Sequence, residues 1–331
     1  IRAGQWTNVP LEASTNKGEG HLDLVQYALS TRYRDGRLTI LADLARTQTG
    51  FRYETSSLTI LAQAPAVTYA VTNDMPRFVV GGIDPTDAGA WRFGSFNDVL
   101  VDDASTETAG RIDADYAIGG LIESLKIGAR LAHRAVRHRQ GLQQADASPG
   151  FEPVQGSRLV ELTGDRLFDR SYPQPRWVAP VGAALAPDRV GSVRALFGLS
   201  PAAPPPQPLL GYEIGETVAN GYVEATFGIP LGRTIVQGNA GLRYALTDLT
   251  VSGGASALST RRYADLLPSI NLRAEVAHQL FARLAWSRQL TRPSFTDLAP
   301  TVTVDFVNAV GTAGNPQLGA LTASQYDAAL E

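Results

Sequence analysis

The sequence of 331 residues predicts an all-β chain. Its expected architecture is an antiparallel, up-and-down transmembrane β-barrel segment, with short turns at one end and long loops at the other. Three observations predict this. Apolar and polar residues alternate with period two over long segments. Tight turns and long links alternate along the chain. Ions gather on one of the two faces. A strand points successive side chains to opposite sides, so period-two alternation means one dry face and one wet face. Any half-packed antiparallel sheet alternates in this way, a soluble sandwich included. The other two observations separate lipid from a protein core. Outer-membrane barrels have short turns on one side and long loops on the other, and an Arg at mid-membrane on the lipid face costs about 2–4 kcal/mol.

The first predicted strand carries Val25, Tyr27 and Leu29 against Asp23, Gln26 and Ser30. Asp35-Gly36, a tight-hairpin dipeptide, leads to Leu38, Ile40, Ala42 and Leu44 against Arg37, Thr39 and Asp43. Next come Ile112, Ala114, Tyr116 and Ile118 against Arg111, Asp113 and Asp115, then a Gly119-Gly120 turn. Leu125, Ile127, Ala129 and Leu131 follow against Ser124, Lys126, Arg130 and Arg134. Ala219, Val223, Ala225 and Phe227 oppose Asn220, Glu224 and Thr226; after a link near 230–233, Ala240, Leu242, Tyr244 and Leu246 oppose Asn239, Arg243 and Thr247. Ile270, Leu272, Ala274 and Val276 oppose Ser269, Asn271, Arg273 and Glu275. A link near 277–279 gives Leu280, Ala282, Leu284 and Trp286 against Arg283, Ser287 and Gln289, and residues 320–331 begin a last segment. These strands are expected to run for roughly 10–18 residues, at or beyond the long end for soluble proteins. The long links are expected over 53–107, 141–212, 252–262 and 296–318. Pro201–Pro208 is proline-rich and unsuited to a central strand. Arg46 and Arg288 share parity with apolar positions, toward the loop ends of their strands, where the cost falls to about 0–1 kcal/mol.

Composition excludes several classes. Charged residues make up 18% and the net charge is -3, with no basic excess to bind nucleic acid. There is no Cys, hence no disulfide scaffold, Cys-ligated zinc or cysteine nucleophile. No apolar run is long enough for a membrane helix, which leaves a β-barrel open. The chain opens Ile1-Arg2-Ala3-Gly4 and closes in a predicted strand, so a fragment of a longer protein is expected.

Several stretches resemble the TonB-dependent outer-membrane receptors. Leu267-Pro268-Ser269-Ile270-Asn271-Leu272-Arg273 is similar to that family's L-P-S-x-N-x-R strand start. Ser287-Arg288-Gln289-Leu290-Thr291-Arg292-Pro293-Ser294-Phe295-Thr296-Asp297-Leu298 resembles its S-R-x-x-T-R-P-S-x-x-D-L stretch. Gly314-Asn315-Pro316-Gln317-Leu318 resembles G-N-P-x-L, with Gly319-Ala320 in place of the usual Lys-Pro. Gly238-Asn239-Ala240-Gly241-Leu242-Arg243-Tyr244 is similar to G-N-x-G-x-R-Y, and Gly128-Ala129-Arg130 to a G-x-R strand. The resemblance implies part of a 22-stranded barrel in the outer membrane of a Gram-negative bacterium. It implies partners too: outer-membrane lipid, an N-terminal plug domain, the TonB energy-transducing complex and a small-molecule nutrient. Residues 1–331 are then barrel, with the plug, TonB box and final strands outside this chain. Siderophore–iron and oligosaccharide are the two nutrient classes expected.

The chain is expected to bind and gate rather than catalyse, with no cofactor. Its two lysines, Lys17 and Lys126, are not preceded by Gly, which excludes a Walker A loop. His-Glu-x-x-His and Gly-x-Ser-x-Gly are absent. His133 and His138 fall on opposite strand faces, which is poor for a shared metal. Asp113 and Asp115 share a face, and ions facing the lumen explain them more simply than acid–base work. An outer-membrane barrel enzyme would need a catalytic constellation, and a structural or adhesive β protein would show repeats or cation loops. The aromatics of the two longest loops, Trp91, Phe93, Phe96, Tyr172 and Trp177, are the candidates for substrate contact, with packing within the loops as the competing role. Asp98, Asp102 and Asp103 form an acidic run for which solvated loop acids are the simpler explanation.

Overall fold

A computed structural model describes residues 3–72, 75–146, 154–163, 176–232, 234–254, 256–305 and 310–331. The strands are β1 (Ala3–Asp35), β2 (Leu38–Thr72), β3 (Met75–Gly81), β4 (Arg92–Gly119), β5 (Ile122–Asp146), β6 (Val160–Leu162), β7 (Val178–Pro180), β8 (Tyr212–Leu231), β9 (Thr234–Gly253), β10 (Ser256–Ala277), β11 (Leu280–Thr291), β12 (Val302–Asp305), β13 (Val310–Ala313) and β14 (Leu321–Leu330). Two short helices, α1 (Gly191–Leu196) and α2 (Phe295–Leu298), lie in links. The main sheet has 10 strands, in the order β1-β2-β4-β5-β8-β9-β10-β11-β14, with β3 paired to β2. This is the expected meander. The expected tight turns join β1 to β2, β4 to β5, β8 to β9 and β10 to β11. Gly119 and Gly120 take φ of 88° and 84°, a backbone that β-carbons disfavour.

The structure corrects two expectations. The strands are far longer than the alternation suggested: β1 has 33 residues, β2 35, β4 28 and β5 25. Much of the expected 53–107 loop is therefore the end of β2, then β3 and the start of β4. Period two appears in a sequence only where the two faces meet different media. In Val101–Gly110 both faces are polar, yet its place between β2 and β5 gives its backbone partners on both sides. The second correction is the expected long link at 252–262. Gly253 pairs with Ser256, and β10 runs from there. Gly253 and Gly254 have φ of 117° and 59°, and a β-carbon on Gly254 would lie 2.2 Å from the Pro300 oxygen. This glycine pair makes a hairpin, and it outweighs the polar run that follows it.

The chain divides into two compact units. The first comprises Ile1–His21, Arg52–Val101 and Gln140–Gln207; the second comprises Leu22–Phe51, Asp102–Arg139 and Pro208–Glu331. The first unit has a dry core. Leu58 and Ile60 of β2 are fully buried, with Trp91, Phe93 and Phe96 around β4 and Val178, Leu185, Val193 and Phe197 from the 141–212 link. Phe197 meets Phe93 edge-on at 6.1 Å and Phe96 at 5.6 Å between ring centres. An ion cluster sits within this core. Asp98 accepts from Arg194 Nε at 2.6 Å and from Ser56 at 2.7 Å, and Arg194 also reaches Glu54 at 2.9 Å. Arg194 belongs to α1 and is 3% exposed, and Asp98 is 0% exposed.

The second unit is built the opposite way. Its apolar residues form rows across the sheet, and the rows are bare. Leu125 pairs with Ala225, which pairs with Ala240, Ile270, Trp286 and Tyr326 in turn. On the same face Ile127, Leu131, Tyr244, Leu266, Leu284 and Tyr326 are each about half exposed or more. A contiguous apolar face of this extent is unstable against water.

Candidate functional site

The bare face ends at a polar row. His133 pairs with Thr217, Thr217 with Asp248 and Asp248 with Arg262. His133 Nδ1 lies 2.9 Å from the Thr217 hydroxyl, and Arg262 lies 3.4 Å from Asp248. The row beneath it on that face is Leu131, Ala219, Leu246 and Ala264. From it to the tight turns, Ile122–Leu131, Ala219–Ile229 and Val236–Leu246 each supply the 9–11 residues that a tilted strand needs to cross a bilayer.

The opposite face is polar and carries a cleft of about 850 Å³. Its chemistry follows from register. Asp113 is 2% exposed, accepts a hydrogen bond from the Tyr222 hydroxyl and forms an ion pair with Arg111. Glu107 is shared by Arg130 at 3.3 Å and Arg134 at 3.5 Å. Beyond the polar row, His138 Nδ1 contacts Asp103 at 2.6 Å and its ring stacks on Tyr212 at 4.9 Å. Burial, and then the Asp103 carboxylate, hold the Tyr212 phenol above its ordinary range.

The stretch after β11 lies against this polar face. Arg292 donates to the Thr247 hydroxyl at 3.1 Å and lies 3.7 Å from Glu216. Ser294 caps α2 through a reciprocal box with Asp297, which satisfies two helix-start donors. Phe295 lies under the Arg134 guanidinium, 4.9 Å from ring centre to cation. Leu298 joins Ile214, Leu249 and Val251 in a small core. The Asn315 N–H then donates to the Asp297 oxygen at 2.7 Å, and a β-carbon on Gly314 would sit 2.3 Å from the Ala299 oxygen. The Arg-Pro-Ser and Gly-Asn-Pro stretches thus dock on each other. The strand motifs interlock as well: Asn239 and Asn271 are register partners joined at 2.8 Å, and the Arg273 cation lies 3.8 Å from the Phe281 ring centre.

A family model described as TonB dependent receptor-like, beta-barrel, matches residues 32–331. The chain belongs to this family. It is a family of outer-membrane receptors and transporters, not of enzymes, whose members work with a plug domain, TonB and a ligand. No curated protein matches the chain.

The structure places the predicted loop aromatics differently from one another. Trp91, Phe93 and Phe96 are 3%, 5% and 1% exposed and form the core of the first unit. Trp91 Nε1 donates to the Pro85 oxygen at 3.1 Å. Trp177 packs at the edge of the same core and is half-buried. Tyr172 lies outside the described residues. The acidic run is also divided: Asp98 is buried in its ion cluster and Asp103 faces His138. Among the described residues, no group of three or more acidic, His or Cys side chains could hold a metal ion. The sequence reading missed the Asp98–Arg194 pair and the Arg134–Phe295 contact. Their partners are distant in the chain and no local pattern links them. Lys126, Arg130 and Arg134, which the sequence reading set on one face of a strand, do share a face of β5.

Proposed function

We propose that this chain is the barrel wall of a receptor in the outer membrane of a Gram-negative bacterium. In this reading it imports a scarce small-molecule nutrient with energy from the TonB complex, through an N-terminal plug encoded outside these residues. The whole chain contributes wall, and the long links over 53–107, 141–212 and 296–318 are proposed as the segments that meet the nutrient. Siderophore–iron complexes and oligosaccharides are the two classes we assign. Trp177 and Tyr172 are the loop aromatics we propose for substrate contact, while Trp91, Phe93 and Phe96 pack in the core of the first unit. The observation that supports this reading most is the bare apolar band, closed on one side by tight turns and on the other by the His133–Thr217–Asp248–Arg262 row.

The test is a pair of neighbouring substitutions in the complete receptor, scored by assembly into the outer membrane. Leu272→Arg puts a cation on the lipid face and abolishes assembly. Arg273→Leu removes one from the lumen face and is tolerated. Equal behaviour of the two variants contradicts the face assignment.

A further inference from the structure

We propose that the first unit carries a binding face for a neutral oligosaccharide, on the side of β1 and β2 turned away from its core. The inference rests on the receptor reading and selects the second of its two nutrient classes.

Alternation defines the face. Ala13 of β1 and Leu58 and Ile60 of β2 point into the core. Ser14 and Asn16 therefore point the other way, with Thr55, Ser57, Thr59 and Gln63. On β4, next to β2, Phe96 and Asp98 are buried, which sets Ser95 and Asn97 on the same polar face. These side chains meet across the strands. Gln63 Nε2 donates to Asn8 Oδ1 at 3.0 Å. Thr59 donates to the Ser14 hydroxyl at 3.2 Å, and Ser14 lies 3.3 Å from the Ser57 hydroxyl. Thr55 donates to Asn16 Oδ1 at 2.7 Å. Gly18 leaves room for the Tyr53 hydroxyl beside this last pair.

The face is also nearly free of charge. Over residues 8–16, 55–63 and 95–97, Glu12 is the one charged side chain on it. Protein surface ordinarily carries about 25% charged residues or more. A face of this kind has little field to hold a charged ferric complex, and its ligand must be held by hydrogen bonds. The pairs orient the amides without saturating them. Among the described residues, Asn8 and Asn16 accept through Oδ1 and keep both N–H donors, and Gln63 keeps its carbonyl oxygen. Asn8, Ser14, Asn16, Gln63 and Asn97 are all exposed. Sugar hydroxyls donate and accept, as amides and side-chain hydroxyls do. Trp6, two residues before Asn8, stacks on Tyr69 with ring centres 5.0 Å apart and is 49% exposed. Such a ring offers an apolar platform for the C–H face of a sugar, with a polar tip beside it. From Asn8 to Asn16 the row spans roughly 27 Å at about 3.4 Å per residue, which suits a chain of sugars rather than one. None of these residues belongs to the stretches that mark the family, and residues 6–18 precede the matched region.

The test uses the complete receptor, purified in detergent. Maltohexaose, cellohexaose and N-acetylchitohexaose are the neutral probes, and ferric citrate is the charged one. At least one hexasaccharide binds, more tightly than its disaccharide. Salt leaves that affinity unchanged, and ferric citrate does not displace the sugar. Asn16→Ala with Gln63→Ala weakens it about tenfold. Ser14→Cys is modified by a water-soluble thiol reagent, and the bound hexasaccharide protects it. The proposal is overturned if no hexasaccharide binds, if salt or ferric citrate weakens the binding, or if the double variant binds as the unaltered receptor does. It is also overturned if Ser14→Cys fails to react, since another part of the receptor would then cover the face. If the alanine variants do not assemble, protection of Ser14→Cys decides. Outer-membrane assembly is scored separately, so failure of the receptor reading is distinguishable from failure of the oligosaccharide face.

Discussion

The two units of this chain handle the same side chains in opposite ways. The first buries Trp91, Phe93, Phe96 and Phe197 in a dry core and sets a paired Arg194 and Asp98 inside it. The second leaves Ile127, Leu131, Tyr244, Leu284 and Tyr326 bare on one face and its ions on the other. One unit obeys the rules of a protein in water, and the other has the two-faced sheet that the proposed wall between lipid and lumen needs. Exposure of large apolar residues is therefore evidence about the medium. In the first unit it would be a defect, and in the second it is what the proposed place in the outer membrane requires.

The contrast can be broken from either side, and the largest effect is expected in the first unit. Arg194→Met leaves Asp98 buried and unpaired, which costs about 3–5 kcal/mol. Limited proteolysis should then cut within 182–205, while the second unit remains protected. Phe96→Ala removes a core ring at a cost of about 3–5 kcal/mol, and the same digestion reports it. In the second unit, Leu272→Arg costs about 2–4 kcal/mol if the residue faces lipid near mid-membrane. Heat-modifiable migration of the complete receptor should be lost. Asn271→Ala breaks the amide pair with Asn239 on the lumen face and costs about 0.5–1.5 kcal/mol. It should lower the temperature of the migration shift slightly, with assembly intact. Arg262→Leu sits in the boundary row, where substitutions cost about 0–1 kcal/mol, and assembly should be unaffected. A large effect there would move the membrane boundary away from this row.

How much could be read beforehand follows the same division. Where the two faces differ in character the residues alternate, and each strand of the main sheet except β3 showed an alternating half, from Val25 to the last segment at 320–331. The tight turns were legible from Asp35-Gly36 and Gly119-Gly120. The far halves of β2 and β4 were not read as strands: Leu58, Ile60, Ala62 and Ala64 do alternate on β2 but stand in a stretch taken for a loop, and Val101–Gly110 of β4 is largely polar on both faces. The first unit's core was invisible for a different reason. Its aromatics lie in stretches without pattern, and the same Trp91 or Phe96 suits a ligand contact or a packed interior equally well until its neighbours are known. The motif residues were visible as motifs, but their roles were not. Arg292, Ser294 and Leu298 emerged as anchors that hold one connecting stretch to the lumen wall.

The chain contains no Cys, so single cysteines introduced along β10 in the complete, membrane-assembled receptor give a direct reading of its two faces. Modification by a water-soluble thiol reagent should alternate: positions 265, 267, 269, 271 and 273 react, while 264, 266, 270, 272 and 274 react only with a lipid-soluble reagent. The alternation should end at 262, where the apolar-side position becomes open to water. Equal water access on both parities from 264 to 274, or lipid access that continues through 262 and 260, would contradict the placement of this sheet in a membrane with its boundary at the His133–Thr217–Asp248–Arg262 row.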